Sequence, residues 1–396
     1  MITVQEATAI IRENLYHANP VAVSITDAVG RVLAENIIAD RDFPAFDRVA
    51  MDGIAIDFNS WKEGSKGFAI EYTQAAGQPA YELQDANNCI EVMTGAVLPL
   101  NTDTVVPYEN ITIKGAEATI NSSDIQRFQN IHRRGSDARE KDVLVEKDMQ
   151  ISAAEVALMA TVGLKHVNVY DLPSAAIVAT GDELVEIDQV PQPHQIRQSN
   201  SYALHAAMKA LSWPVVRYHI PDNEDFARAS LTTILVTHEV IILSGGISKG
   251  KFDYVPSMLE QLGVTKMFHG VRQRPGKPFW FGRTSSGKTV FALPGNPVST
   301  FLCFYRYVQP WLRASLGLPT IHPKVMLGEN FRFEPALTYF LQVRVVNEGA
   351  RLIAYPAAGG GSGDFVNLAG IDGFIELAAE RSTFEAGELF DLISFR

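Results

Sequence analysis

Two stretches of the chain carry the glycine and lysine spacing of a phosphate-binding loop. GRTSSGKT, residues 282–289, matches G-x-x-x-x-G-K-[ST] at every position. Such a loop works only between a buried strand and a helix, because loop N–H groups and the helix N-terminus must both face the phosphates. Here the aromatic run PFWFG precedes the match. TVFALPG follows it as a second β-like run, ended by Pro294 and Gly295. Two strands joined by Arg-Thr-Ser-Ser-Gly-Lys predict a hairpin, not a nucleotide site. EVIILSGGISKGKFDYV, residues 239–255, has the better context. Residues 240–243 read as a strand buried on both faces. Gly245, Gly250 and Lys251 repeat the loop spacing, but Phe252 stands where a Ser or Thr would hold magnesium. Asp253 and Tyr254 follow, and then VPSMLEQLG reads as helix. A phosphate site of another family is one reading. A tight turn that needs glycine for its backbone angles is the other.

Other polar groups follow strand-like runs in the same half of the chain. Gly181, Asp182 and Glu183 come after AAIVAT, which ends at Thr180. Asp222 comes after VVRYHI. Ser244, Gly245, Gly246, Ser248 and Asp253 end or follow VIILS. Arg274-Pro-Gly-Lys277 precedes FWFG, and Pro294, Gly295 and Asn296 follow TVFAL. Glycines, helix N-termini and cations together suit a phosphate ester. Carboxylates beside phosphate suit magnesium, which takes one or two carboxylates plus phosphate oxygens. Asp182 or Asp222 taken singly reads equally well as a helix cap or a solvated carboxylate. The sequence has no His/Cys cluster with metal spacing, and no G-x-S-x-G elbow of a serine hydrolase.

The elements that must position these groups alternate β and α from residue 173. Strands AAIVAT, VVRYHI, VIILSG and TVFALPG are separated by helical patterns, with Asn200 expected to cap NSYALHAAMKAL. Asn296-Pro297 opens a long helix to about Leu316. This alternation predicts an open, mostly parallel α/β sheet with ligands beyond the carboxyl ends of its strands. Residues 1–42 and 139–172 read as a discontinuous helical and linker domain, beginning with an amphipathic helix whose Thr3 and Glu6 have capping-box spacing. Residues 43–138 read as a small inserted β domain, 173–318 as the α/β domain, and 319–396 as a C-terminal β domain broken by AAGGGSGDF. The inserted domain contributes FPAFDRVAMDGIA, with Asp47 and Asp52, and IHRRGSDARE. The latter is a solvated loop on one reading and an anion site or interdomain clamp on the other.

At 396 residues the chain fits roughly two to four domains. With 46% hydrophobic and 20% charged residues it reads as a soluble globular protein. A net charge of −11 argues against nonspecific nucleic-acid or anionic-membrane binding. Cys89 and Cys303 lack metal spacing and read as buried thiols of a reducing compartment. With no signal-peptide or spanning pattern, a cytoplasmic location is expected.

FDRVAMDGIA, MTGA, HRRGSD, TGDEL, SGGISKGKFDY, RPGKP and LPGNP, in this order, resemble the hallmarks of the molybdopterin molybdenumtransferases, the MoeA proteins and the E domain of gephyrin. The likeness runs from the N-terminus to about Leu316, and more weakly to the end. It implies an elongated homodimer of four-domain chains that uses adenylylated molybdopterin and molybdate. It also implies molybdenum insertion into the dithiolene, release of AMP and a requirement for Mg2+ or a similar cation. By position, the family's functional residues fall on Asp52, Thr94, Asp137, Glu183, Asp222, Asp253, Arg274 and Lys277. The resemblance gives Lys277, Arg274 and the loop 244–250 to the phosphates. Glu183, Asp222 and Asp253 would bind magnesium or position molybdate and water. Thr180, Gly181, Pro294, Gly295, Asn296 and Ser362 would line the substrate site. A site shared between subunits and a transient contact with molybdopterin adenylyltransferase are implied as well.

This chain departs from the family pattern at several of those motifs. Arg48-Val49 replaces Asn-Ser, Ile54 replaces Tyr, Arg274 replaces Lys, Asn223 replaces an acid, and Gln342 replaces an expected Arg. An adenylyltransferase would lack the inserted and C-terminal β domains. A noncatalytic molybdopterin-binding scaffold would not need Asp52, Glu183 and Lys277. A generic NTPase would need a working P-loop.

Overall fold

The computed structural model describes residues 1–246, 255–357 and 359–396. Ser248, Gly250 and Asp253 lie outside the described residues. The chain divides into two compact units. One comprises Met1–Ala22, Gly30–Val32 and Asn168–Arg396, and the other Val23–Val29 and Leu33–Val167.

In the second unit, short alternating β runs build one six-stranded sheet. Its order is Thr104–Pro107, Gly53–Ile56, Cys89–Val92, Gly67–Gln74, Glu117–Ile120, Ile111–Lys114. Neighbours are antiparallel except Gly67–Gln74 and Cys89–Val92, which run parallel. Side chains of alternate residues feed two apolar clusters. Ile54 and Ile56 enter one, and Ala55 the other. Cys89 is buried here as a free thiol, and burial pushes it up to about 12.

The expectation of a helical domain from 1–42 and 139–172 is corrected. These segments hold one nine-residue α-helix each, Val4–Arg12 and Ala153–Thr161, a single 3-10 turn Ile25–Asp27, and otherwise short strands and turns. The reason is visible in HVNVY, whose burial alternates with the period of a strand. The first helix does start as its sequence predicts. Thr3 Oγ1 accepts from the Glu6 N–H at 3.1 Å, and Glu6 accepts from the Thr3 N–H at 2.7 Å.

The first unit is built on a six-stranded sheet of order Val215–Ile220, Ala175–Thr180, Val240–Ser244, Thr289–Leu293, Trp280–Thr284, Val264–His269. The first four strands are parallel, and the last two join antiparallel. All five residues of Val240–Ser244 are buried, because helices cover both faces. Ile177, Ile242 and Phe291 pack with Leu204 and Leu302 on one face. Val178, Leu243 and Val290 pack with Leu231 and Met258 on the other. Each such buried aliphatic side chain contributes roughly 1.5–3 kcal/mol.

The helix after Asn296 runs as Pro297–Cys303, a π-turn Phe304–Val308, and Gln309–Ser315. The wide turn lies just before Pro310, whose ring and missing N–H do not fit a regular α-turn. Cys303, the last residue of the first helical segment, is fully buried, and burial pushes its thiol up to about 12.

In the C-terminal part, Thr338–Glu348, Arg351–Pro356, Lys324–Leu327, Leu389–Ser394 and Gly373–Leu377 pair in ring order, and the last returns to the first. This closure leaves no free edge. The start of Thr338–Glu348 also pairs in parallel with Gln273 and Arg274. That pairing ties the RPGK loop to the small barrel. No helix among the described residues is long and apolar enough to cross a membrane.

Candidate active site

All four parallel strands end on one rim, as parallel strands must when connected by crossover helices. Ala175–Thr180 delivers Thr180, Gly181, Asp182 and Glu183, and Val215–Ile220 leads to Asp222. Val240–Ser244 delivers Gly245 and Gly246, and Thr289–Leu293 leads to Pro294, Gly295 and Asn296. Beside this rim lies a cleft of about 720 Å³. Thr180, Glu183, Gly245 and Gly246 line one side. Pro294, Gly295 and Asn296 line another, and Arg274, Lys277 and Ser362 close it.

The glycines have a steric reason. Gly246 has φ +68°, and a Cβ there would stand 2.7 Å from Val255 Cγ2 and 2.9 Å from Thr180 Oγ1. A side chain would fill the space between this loop and Thr180, so the backbone itself faces the cleft. Thr180 Oγ1 is buried without a hydrogen-bond partner among the described residues.

Asn200 was expected as an N-cap, and the structure corrects this. The helix starts at Ser199, and Asn200 sits in its first turn. Its amide nitrogen instead donates to Ser244 Oγ at 2.9 Å, Gly295 O at 2.7 Å and Thr300 Oγ1 at 3.2 Å. One side chain therefore ties the Ser-Gly-Gly loop to the Pro-Gly-Asn loop. Asn296 does occupy the N-cap position before Pro297, but its side chain makes no cap hydrogen bond. It donates to Ser362 Oγ at 2.8 Å. Ser362 O in turn accepts from the Val298 N–H at 3.1 Å. The GSGDF loop thus supplies the acceptor that a capping side chain would otherwise supply.

Arg274 and Lys277 are exposed, and neither has an ion-pair or hydrogen-bonded side-chain partner among the described residues. Their loop is held from below by Gln273, which is fully buried. Its amide nitrogen donates to Pro275 O at 3.1 Å and Gly276 O at 3.4 Å, and its oxygen accepts from the Tyr307 hydroxyl. No spacing rule in the sequence pointed to Gln273 or to the role of Asn200. Both act through buried amides that carry no motif.

Among the carboxylates, Asp182 and Asp222 clamp each other. Asp182 Oδ1 accepts from the Asp222 N–H at 2.9 Å, and Asp222 Oδ2 from the Asp182 N–H at 3.4 Å. His219 Nε2 lies 2.9 Å from Gly181 O and steadies the same turn. Among the described residues no group of three or more His, Cys, Asp or Glu side chains is gathered for a metal. Magnesium beside phosphates needs only one or two carboxylates. Glu183 lines the cleft, whereas Asp222 is not among its lining residues.

Asp52, Thr94 and Asp137 belong to the other unit. Asp52 Oδ1 accepts from the Thr94 N–H at 2.6 Å and the Thr94 hydroxyl at 2.7 Å. The backbone bond, then the hydroxyl, holds the Asp52 carboxyl below its ordinary range. Gly53 follows because a Cβ there would stand 2.0 Å from Val106 O. Ile131 and His132 pair with Val49 and Arg48, so IHRRGSDARE is anchored to FDRVAMDG by backbone. His132 Nε2 lies 2.7 Å from Asp137 Oδ1, and its Nδ1 lies 3.0 Å from Arg48 Nη2. Arg134 donates to Asp42 at 2.7 Å, and Arg133 lies 4.0 Å from the centre of the Phe128 ring.

Three family models match consecutive parts of the chain. "MoeA N-terminal region (domain I and II)" covers residues 2–163. "Probable molybdopterin binding domain" covers 176–314, and "MoeA C-terminal region (domain IV)" covers 324–395. A molybdopterin molybdenumtransferase from Synechocystis is 39% identical over 98% of this chain and 99% of its own length. Another from Staphylococcus epidermidis is 29% identical over 99% of this chain and 95% of its own. Among solved structures, a molybdopterin biosynthesis MoeA protein from Pyrococcus horikosii superposes with a TM-score of 0.85 at 27% identity, covering 100% of this chain and 99% of its own. By end-to-end likeness in sequence and in fold, the chain belongs to the molybdopterin molybdenumtransferase family.

Proposed function

We infer that this protein is a transferase of molybdenum cofactor biosynthesis that inserts molybdenum into molybdopterin. It takes adenylylated molybdopterin and molybdate and releases AMP. The observation that carries this reading is the cleft at the carboxyl rim, which Arg274 and Lys277, without ion-pair partners among the described residues, line together with Gly245 and Gly246.

In this mechanism the backbone of Gly246 and the charges of Arg274 and Lys277 hold the phosphates, while the Gly245 N–H stays on Leu293 O and fixes the loop. Thr180, Gly181, Pro294, Gly295, Asn296 and Ser362 shape the walls, with Ser244 holding the loop. Glu183 and Asp222 would hold Mg2+, which would neutralise charge on the phosphoanhydride. Asp253, Ser248 and Gly250 join them on the strength of the family motif alone. Release of AMP is phosphoanhydride cleavage. Placement and fixed charge therefore supply most of the rate, with little covalent work for the protein. Incubation with adenylylated molybdopterin, Mg2+ and molybdate should release AMP in step with molybdenum incorporation. ATP hydrolysis without any pterin turnover would overturn the reading.

The functional protein is, in this proposal, a cytoplasmic homodimer that meets the adenylyltransferase transiently. Each chain keeps four domains, with 1–42 and 139–172, 43–138, 173–318 and 319–396 as their extents. Asp52, Thr94 and Asp137 of one subunit complete the Lys277 rim of the other. Asp52→Ala and Lys277→Ala homodimers should both be inactive. In a mixed dimer, one site carries both lesions and the other none. Co-refolding equal amounts should restore about a quarter of wild-type activity under that symmetry. No recovery, with a wild-type control that survives refolding, would refute the shared site.

A further inference from the structure

One buried amide is bonded to both residues that separate the two cations of the cleft. The loop from Val271 to Lys277 is closed at its ends, where the Val271 N–H donates to Lys277 O at 2.9 Å. Arg274 and Lys277 are exposed on it, and only Pro275 and Gly276 lie between them. The carbonyls of Pro275 and Gly276 both accept from Gln273 Nε2, at 3.1 Å and 3.4 Å. A backbone carbonyl can only accept, so this end of the amide must be its NH2. Its oxygen then faces Tyr307, and the phenol must donate that hydrogen bond. Burial pushes the Tyr307 hydroxyl well above its ordinary range, so it stays protonated and keeps donating. Gln273 and Tyr307 are 0% and 1% exposed, which leaves neither of them water as a substitute partner. The floor of the loop is also tight. Gly276 has φ +93°, and a Cβ there would stand 2.6 Å from Gln273 Nε2 and 2.8 Å from Cys303 Sγ.

The consequence concerns spacing, not charge. An anion with one centre can follow a displaced cation at little loss. An anion with two phosphate groups gains its full affinity only when both cations stand at the right separation at once, and a loop held in advance avoids the cost of ordering it.

We propose that Gln273, oriented by Tyr307, is a positioning residue that sets the separation of Arg274 and Lys277, and so makes the cleft selective for a phosphoanhydride over a single phosphate. The proposal rests on the reading of this cleft as the phosphate site.

Isothermal titration of the full-length protein with pyrophosphate, and separately with inorganic phosphate, both without divalent cations, provides the test. Gln273→Met keeps the length of the side chain and removes the amide. It should weaken pyrophosphate about tenfold and phosphate less than about twofold. All charges are kept, so the change in the ratio reports spacing. Tyr307→Phe removes only the hydroxyl, and its ring keeps its place 4.9 Å from the Phe279 ring centre. It should weaken the same anion by a smaller factor. The double variant should be no weaker than Gln273→Met alone, because the phenol acts through the amide. Should Gln273→Met fail to fold, Tyr307→Phe decides by the same ratio. An unchanged ratio, whether both affinities fall together or neither falls, overturns this proposal alone. So does a wild type that binds phosphate as tightly as pyrophosphate. Additive losses in the double variant overturn the orienting role of Tyr307. A wild type that binds neither anion overturns the cleft reading and the proposal together.

Discussion

Lys277 and Lys288 each follow a glycine by one residue, yet their surroundings are opposite. Lys288 completes the P-loop pattern and is 17% exposed at its side chain. Its ammonium donates to Val236 O and His238 O at 3.0 Å each and to Glu239 at 3.2 Å. Those carbonyls lie at the end of the Glu224–Thr237 helix, where a cation satisfies orphan acceptors and complements the dipole. The loop is a hairpin, with the Thr284 N–H donating to Lys288 O at 2.9 Å. All the hydrogen-bonding capacity of Lys288 is used inside the fold. Lys277 sits in a pattern with no nucleotide signature, on a loop braced by Gln273, and its charge faces a cleft. A cation serves binding only when the fold leaves it unpaired at a concave surface, whatever the spacing around it.

Replacing each lysine should divide function from stability. Lys277→Ala should cost AMP release at least about thirtyfold, the loss of a charge-assisted contact of about 2 kcal/mol, and leave the thermal midpoint nearly unchanged. Lys288→Met should do the reverse. It should lower unfolding free energy by about 1–2 kcal/mol, because two helix-end carbonyls lose their donor. Its AMP release should stay within about twofold at a temperature where the protein is folded. Parallel kinetic and urea-unfolding measurements check both. The comparison breaks if Lys288→Met is the more damaging to turnover.

The same contrast explains what could be read from the sequence. Strand AAIVAT and its partners announce themselves as continuous apolar runs, so the rim carrying Glu183, Gly245 and Asn296 was legible. The hairpin nature of GRTSSGKT was legible too, because Pro294 and Gly295 end the following run too early for a helix. Asn200 was legible as a helix-start residue but not as a clamp. A cap is a local hydrogen bond with a fixed offset, whereas its observed partners Ser244, Gly295 and Thr300 are brought together only by the parallel sheet. Asn296 was legible as the N-cap before Pro297, but its side-chain partner was not, since Ser362 is 66 residues away in the chain. The segments 1–42 and 139–172 misread as helical because the helices they do contain, Val4–Arg12 and Ala153–Thr161, run for only nine residues each.

A smaller effect separates Asp52 from the rim carboxylates. Its oxygen is held by two donors of one residue, the Thr94 N–H and hydroxyl, and these favour the ionised form. The sign follows from linkage. A carboxyl depressed by folding adds stability that is fully present above its unfolded value and is lost as pH falls through the folded one. Thr94→Val removes the hydroxyl but keeps the N–H. The Asp52 midpoint, followed by NMR of its side-chain carbonyl carbon, should therefore rise only part of the way to that of free aspartate. The gap in stability between wild type and Thr94→Val should be present at neutral pH and close below the depressed midpoint. An Asp52 midpoint that does not move in Thr94→Val would show that the backbone N–H alone sets the carboxylate. The hydroxyl, held 2.7 Å from the same oxygen, would then be left free to donate to a ligand.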